Sequence, residues 1–352
     1  MLLEGVFAAV TTPFYPDGRL YFRKLEHNVD RYSRTPLSGL VVLGSTGEAV
    51  MLGDEESRDV LRTAREAASA HKVLLAGVAR ESVLETLKLA EFAAEHGYDA
   101  VLVRTPNFYA PQMGDAALLN YYRMVADASP LPVVLYNIPK FTKRDLPVEV
   151  IAELAWHPNI IGLKDSSGSV DAIAAVVAAT KSAPRRKVTV TEIFAAVTNR
   201  MLEAEPTIGA ATFVSAETLG GGAALAVAPP KPAIKTRAKE VGFQVLSGAA
   251  GKVFDSLEAG ATGAVLALAA CAPQACHEVY TAWKDKDPVL AQEKQERIRR
   301  ASTRIAGELG VPGIKFACDW NGYYGGPPRM PLLPLTAALK AEVSEILAGI
   351  RN

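Results

Sequence analysis

The sequence predicts an α/β protein built as a (β/α)8 TIM barrel, and three observations carry that prediction. Eight short apolar runs alternate with longer helical patterns. The runs are continuous in Val, Leu, Ile and Ala rather than alternating with polar residues, as strands buried on both faces require. No Gly-x-Gly-x-x-Gly turn follows the first run, where an open dinucleotide-binding sheet would place one.

In chain order, Val6 to Val10 reads as the first strand, followed by an amphipathic stretch from Tyr21 to Tyr32. Gly39 to Leu43 precedes a helix over Asp54 to Ala68, and Val73 to Ala76 precedes one over Ser82 to Glu95. Ala100 to Val103 leads to Asp115 to Ala128, and Val133 to Tyr136 leads to Pro147 to Leu154. Ile160 to Lys164 is followed by Val170 to Lys181. Val245 to Ser247 precedes Lys252 to Ala259, and Ala264 to Leu266 precedes the last barrel helix. Residues 1–287 are thus expected to form the barrel, and 288–352 a C-terminal helical region.

An insertion at 185–242, between the sixth helix and the seventh strand, breaks the rhythm. It holds Val188 to Thr191, a helix expected over Glu192 to Glu203, and the clusters Gly220-Gly221-Gly222 and Ala228-Pro229-Pro230-Lys231-Pro232, which read as loop or linker. The basic run Lys231 to Lys239 reads as a solvated turn or helix face. A connection from helix to strand lies on the N-terminal face of a barrel, so the insertion is expected to serve packing or assembly rather than to act as an active-site lid.

Composition narrows the function. Lys plus Arg and Asp plus Glu both number 38, so no net field draws the chain to nucleic acid or to anionic lipid. The three cysteines form no Cys-x-x-Cys pair, and reduced thiols in a cytoplasmic protein are the natural reading. The five histidines show no metal-binding spacing, so no metal site is expected. Met1 to Glu4 runs straight into apolar residues without a basic leader, so no signal peptide is expected. The longest apolar stretch, Ala264 to Ala275, is too short to span a bilayer and contains a proline.

Three segments carry chemistry. In Ile160 to Gly168, an apolar strand ends in Lys164. Burying an ammonium is costly, and an amine held out of water gives up its proton more readily and can attack a ketone to form a Schiff base. Gly44-Ser45-Thr46-Gly47-Glu48 follows the second strand directly, and its glycines and hydroxyls suit a carboxylate nest. Tyr136 ends the fifth strand, where a phenol can shuttle protons. Each also has an ordinary reading: a lysine reaching solvent, a capped turn, a rim aromatic. Together they fall at the C-terminal ends of barrel strands, where barrel enzymes work, and describe a site for a 2-keto acid. Asp165 follows Lys164, and its influence on the amine depends on which face of the strand it takes.

At these residues the chain resembles the dihydrodipicolinate synthase / N-acetylneuraminate lyase family of pyruvate-dependent class I aldolases. The matching elements are Gly5 to Phe14, Gly44 to Glu48, Tyr136-Asn137-Ile138-Pro139 and Gly162 to Ser166. The resemblance covers about 3–184 and 243–335 and leaves out the insertion. It implies that Lys164 is the Schiff-base lysine, Tyr136 the proton relay, and Ser45 and Thr46 the carboxylate binders. Gly47, Ser166, Gly248 and Val265 complete the expected substrate-binding set. It also implies a carbon–carbon lyase that needs no cofactor, takes a small 2-keto acid (pyruvate and an aldehyde), and assembles as a homotetramer or dimer.

Within the family, Asp127 to Tyr136, Gly248 to Gly251 and Asp319 to Pro327 look most like 4-hydroxy-2-oxoglutarate aldolases, which release pyruvate and glyoxylate. The alternatives are dihydrodipicolinate synthesis, aldol cleavage or dehydration of a sugar-derived 2-keto-3-deoxy acid, and an inactive keto-acid-binding barrel. Phe141 stands where the synthases place an arginine, and a phenyl ring cannot replace a bidentate cation. Arg144 is near in sequence but off the motif. Ala249 and Ala250 stand where sialic acid lyases carry acidic residues. Phe108 aligns with a second relay tyrosine that family members lend to a neighbouring subunit, and Tyr109 is adjacent.

Overall fold

In the computed structural model, which describes residues 1–191, 195–203 and 235–350, eight parallel strands close into a barrel surrounded by helices. The barrel strands are β1 (Gly5–Ala9), β2 (Gly39–Val42), β3 (Val73–Gly77), β4 (Ala100–Arg104), β5 (Val133–Asn137) and β6 (Ile160–Asp165). After β7 (Arg186–Thr191) and β8 (Thr236–Val241), which lie outside the barrel, come β9 (Gln244–Ser247) and β10 (Gly263–Leu266). The closed order is β1-β10-β9-β6-β5-β4-β3-β2. The fold is therefore the (β/α)8 barrel that the alternating pattern predicts, and strand limits differ from the expected ones by a residue or two.

Strand periodicity sorts the side chains. Phe7, Val41, Leu75, Leu102, Val134, Leu246 and Val265 fill the barrel interior, while their sequence neighbours pack outward against the helices. Each strand is buried on both faces, which is why the sequence shows continuous apolar runs. Helices begin where capping side chains sit: Ser82 accepts from the Glu85 N–H and Ser169 from the Ala172 N–H.

The insertion corrects one expectation. The basic stretch before Val241 is a strand, not a solvated turn or helix face: β8 pairs antiparallel with β7 from Arg186↔Val241 to Thr191↔Thr236. Alternation explains it, because Val188, Val190 and Val241 bury one face against Leu2 while Lys239 pairs with Glu4. Of the expected helix over 192–203, Asn199–Glu203 is helical. Gly220 to Gly222, Ala228 to Pro232 and the start of the basic run lie outside the described residues.

The described parts of the insertion cover the N-terminal face of the barrel. Arg186 donates to the carbonyls of His157 (2.8 Å) and Ile160 (2.7 Å), just ahead of and within β6. Thr198 donates to Ala70 O at 2.8 Å, and Arg200 forms a buried ion pair with Asp99 at 2.9 Å. At the opposite end of the chain, helices over Pro288–Ala301, Gly310–Trp320 and Ala337–Leu347, with a π-helical stretch over Ser302–Leu309, form the C-terminal region.

Candidate active site

The registers of three adjacent strands place the site. Arg104 of β4 is level with Tyr136 of β5, and Tyr136 is level with Lys164 of β6. Alternation turns Tyr136 and Lys164 inward. Both are buried, and the Lys164 Nζ sits 4.0 Å from the centre of the Tyr136 ring. The Tyr136 Oη lies 3.3 Å from the Ser45 Oγ. The amine, the phenol and the Gly44–Glu48 turn thus meet at the C-terminal end of the barrel.

Asp165 takes the other face. Its carboxylate accepts from the Asn137 Nδ2 (2.8 Å), the Ser167 N–H (3.0 Å) and the Ser167 Oγ (2.5 Å). Asn137 is itself fixed by accepting from the Leu146 N–H at 3.0 Å. The acid beside the lysine in sequence therefore organises the loops after β5 and β6 and does not face the amine. Among the described residues, no carboxylate forms an ion pair with Lys164.

The turn after β2 is held in an unusual conformation. Leu43 (φ 59°) and Glu48 (φ 56°) bracket it, both in the left-handed region that side chains rarely adopt. Room for the Leu43 carbonyl comes from Gly77, where an added Cβ would stand 2.0 Å from that oxygen. Within the turn the Gly47 N–H donates to Gly44 O at 3.0 Å, and the Thr12 Oγ1 donates to Gly47 O at 2.6 Å. Both backbone groups of Gly47 are thus used inside the protein. Ser45 and Thr46 add two side-chain hydroxyls to the same turn.

The remaining expected residues divide. Ser166 and Gly248 touch: a Cβ at Gly248 would lie 2.0 Å from the Ser166 Oγ, and the Gly248 N–H donates to Asp165 O at 2.6 Å. Val265 is buried on the inward face of β10, paired with Phe7. Phe141 is 54 % exposed, and Arg144 is committed to Asp115 at 2.5 Å. Phe108 and Tyr109 stand out from the loop after β4 at 76 % and 63 % exposure, their rings edge to face. The Glu81 carboxylate holds that loop, accepting from the N–H groups of Asn107 (2.9 Å) and Phe108 (3.0 Å) and pairing with Arg104 (2.9 Å). Burial raises the Glu81 carboxyl, and these donors outweigh it and bring it below the usual range.

Sequence reasoning missed the residues that brace the turn from outside the barrel. Lys315 pairs with Glu48 at 2.6 Å, both side chains almost wholly buried, and the Arg329 N–H donates to the other Glu48 oxygen at 2.7 Å. The signal was available: Lys315 interrupts the otherwise apolar run from Gly310 to Cys318. Gln295, also buried, holds the loop after β9 by donating to Ala250 O and accepting from the Phe254 N–H.

The chain is similar to known proteins along its length. The model of the dihydrodipicolinate synthetase family matches residues 2–204 and 231–350. A 4-hydroxy-tetrahydrodipicolinate synthase from Methanothrix thermoacetophila is 28 % identical, over 100 % of this chain and 98 % of its own. An L-threo-3-deoxy-hexylosonate aldolase from Hypocrea jecorina is also 28 % identical, over 99 % of this chain and 95 % of its own. Among solved structures, YagE, an E. coli K12 prophage protein of the dihydrodipicolinic acid synthase family in complex with pyruvate, superposes with a TM-score of 0.78 at 25 % identity, covering 99 % of each chain. The chain belongs to the dihydrodipicolinate synthetase family and is a carbon–carbon lyase.

Proposed function

We propose that this member of the dihydrodipicolinate synthetase family is a class I aldolase that cleaves 4-hydroxy-2-oxoglutarate to pyruvate and glyoxylate. The observation that carries the reading is the convergence of Lys164, Tyr136 and Ser45 at one rim, with the amine 4.0 Å from the ring centre and the phenol 3.3 Å from the hydroxyl. Ser45 and Thr46 hold the substrate's C1 carboxylate. The Lys164 amine adds to the C2 ketone, and Tyr136 then protonates the departing hydroxyl, which leaves as water and gives a protonated imine and the Tyr136 phenolate. Tyr136 takes the proton of the C4 hydroxyl, the C3–C4 bond breaks, and its electron pair passes into the imine to give an enamine and the free aldehyde. Protonation at C3 and hydrolysis release pyruvate and restore the amine. Tyr136, backed by Ser45, serves each of these proton transfers.

The acceptor side supports a small aldehyde over aspartate semialdehyde. Phe141 presents a phenyl ring where the synthases use a cation, and Arg144 is already paired with Asp115. A second reading, cleavage of a six-carbon 2-keto-3-deoxy acid, draws on the similarity to the Hypocrea jecorina aldolase along nearly the whole of both chains.

Borohydride reduction in the presence of pyruvate, followed by peptide mass spectrometry, tests the imine. We expect a pyruvyl adduct on Lys164. Well-folded protein without it would overturn the aldolase reading. Steady-state cleavage of 4-hydroxy-2-oxoglutarate against L-threo-3-deoxy-hexulosonate then separates the two substrates by kcat/KM. Efficient condensation of aspartate semialdehyde by the unmodified protein would defeat the argument from Phe141.

A further inference from the structure

Lys315 comes from the C-terminal helix Gly310–Trp320, outside the barrel, yet its amine ends against the Ser45–Glu48 turn. It pairs with Glu48 at 2.6 Å, donates to Pro327 O at 2.8 Å and lies 4.3 Å from the centre of the Phe14 ring. The second Glu48 oxygen accepts from the Arg329 N–H. Glu48 therefore has fixed partners on both oxygens, all from a segment that a bare barrel would lack.

We propose that Lys315 is a positioning residue: its ion pair with Glu48 holds the turn after β2 in the shape that sets the Ser45 and Thr46 hydroxyls over the Lys164 site. This rests on the carboxylate-binding reading given above for Ser45 and Thr46.

Two physical arguments support it. Glu48 and Leu43 occupy left-handed backbone conformations, which persist only where the surroundings over-determine them. A fully buried ion pair adds little net stability compared with a packed apolar pair of the same volume. It does impose direction, because two oxygens and an ammonium admit few arrangements. Burial pushes the Lys315 amine down from its ordinary range, and the Glu48 carboxylate opposes that shift.

The test measures borohydride trapping of Lys164 as a function of pyruvate concentration in wild type, Lys315→Met, Glu48→Gln and the Glu48→Gln/Lys315→Met double variant. We expect Lys315→Met and the double variant to raise the half-saturating pyruvate concentration about tenfold, with the limiting trapping rate within about threefold of wild type. Glu48→Gln keeps the shape and an acceptor, so about threefold is expected. If Lys315→Met alone does not fold, because it strands a buried carboxylate, the uncharged double variant decides. A folded double variant with wild-type half-saturation would overturn the proposal, and so would failure of all three variants to fold, which would make the pair a stability element only. Thr46→Ala separates the two layers of the argument. If wild type traps pyruvate and Thr46→Ala weakens it while the pair variants do not, only the role of Lys315 falls. If wild type traps none, the reading of the site falls first.

Discussion

Both ends of this barrel bury cations, and they treat them differently. At the N-terminal face, Arg200 is paired with Asp99 at 2.9 Å and donates to Gly97 O at 2.6 Å, and the Lys72 amine donates to Thr35 O and Leu37 O at 2.6 and 2.7 Å. At the C-terminal end, Lys164 sits over an aromatic ring, and no described carboxylate pairs with it. Lys315, just behind the site, is paired like the cations at the other face. A cation held by a carboxylate or by backbone carbonyls fastens elements together. One facing a π-surface and a polar turn is left able to react. The difference lies in what surrounds each cation, since all four are buried.

The largest expected effect bears on the reactive end. Lys164→Ala should remove the trapped pyruvate adduct and lower cleavage by about 10³-fold or more while leaving the unfolding midpoint close to wild type. A large loss of stability instead would place Lys164 with the structural cations. Arg200→Met is the counterpart at the other face. It strands Asp99, whose carboxyl is already raised by burial and held down by Arg200, and should cost about 3–5 kcal/mol in urea unfolding with kcat unchanged. Reduced kcat in the folded variant would show that the two faces communicate.

Tyr136→Phe keeps the ring beneath the Lys164 amine and removes the phenol next to Ser45. It should lower kcat by about 10²-fold while borohydride still traps an adduct, though more slowly. Equal kcat would remove the phenol from the proton path.

The smallest effect concerns pH. Burial pushes the Lys72 amine down from its ordinary 10.5 to about 8, so the unfolded chain holds that proton more tightly than the folded one. The stability linked to this group is fully present above 10.5 and is lost as pH falls through about 8. The urea midpoint should therefore include a component that rises with pH across this window, and Lys72→Met should flatten it. An unchanged slope would show that the two carbonyl acceptors hold the charged form in place.

Much of the site was legible in the sequence because it falls at strand ends. A lysine closing Ile160-Ile161-Gly162-Leu163 and a tyrosine closing Val133-Val134-Leu135 are fixed in direction by a two-residue period, so a correct strand reading also places the side chains. The face taken by Asp165 went unread because the expected strand stopped at Lys164; β6 runs one residue further, and alternation turns Asp165 away from the amine, toward Asn137 of β5 and Ser167. The strand β8 was hidden for a related reason. Half of Thr236–Val241 is charged, and it becomes a strand only by pairing with β7.

By itself the sequence determined the barrel, the eight-unit order, and the placing of Lys164, Tyr136 and the Ser45–Glu48 turn at one rim. These follow from local periodicity, which needs no knowledge of distant partners. Tertiary structure alone decided that Lys315 and Arg329 close behind Glu48, that Gln295 fastens the loop after β9, and that Arg200 seals the opposite face. Those contacts join residues about 45 to 280 positions apart. What a buried polar group will pair with depends on the packing of the whole chain, because only desolvation by that packing makes the pairing necessary.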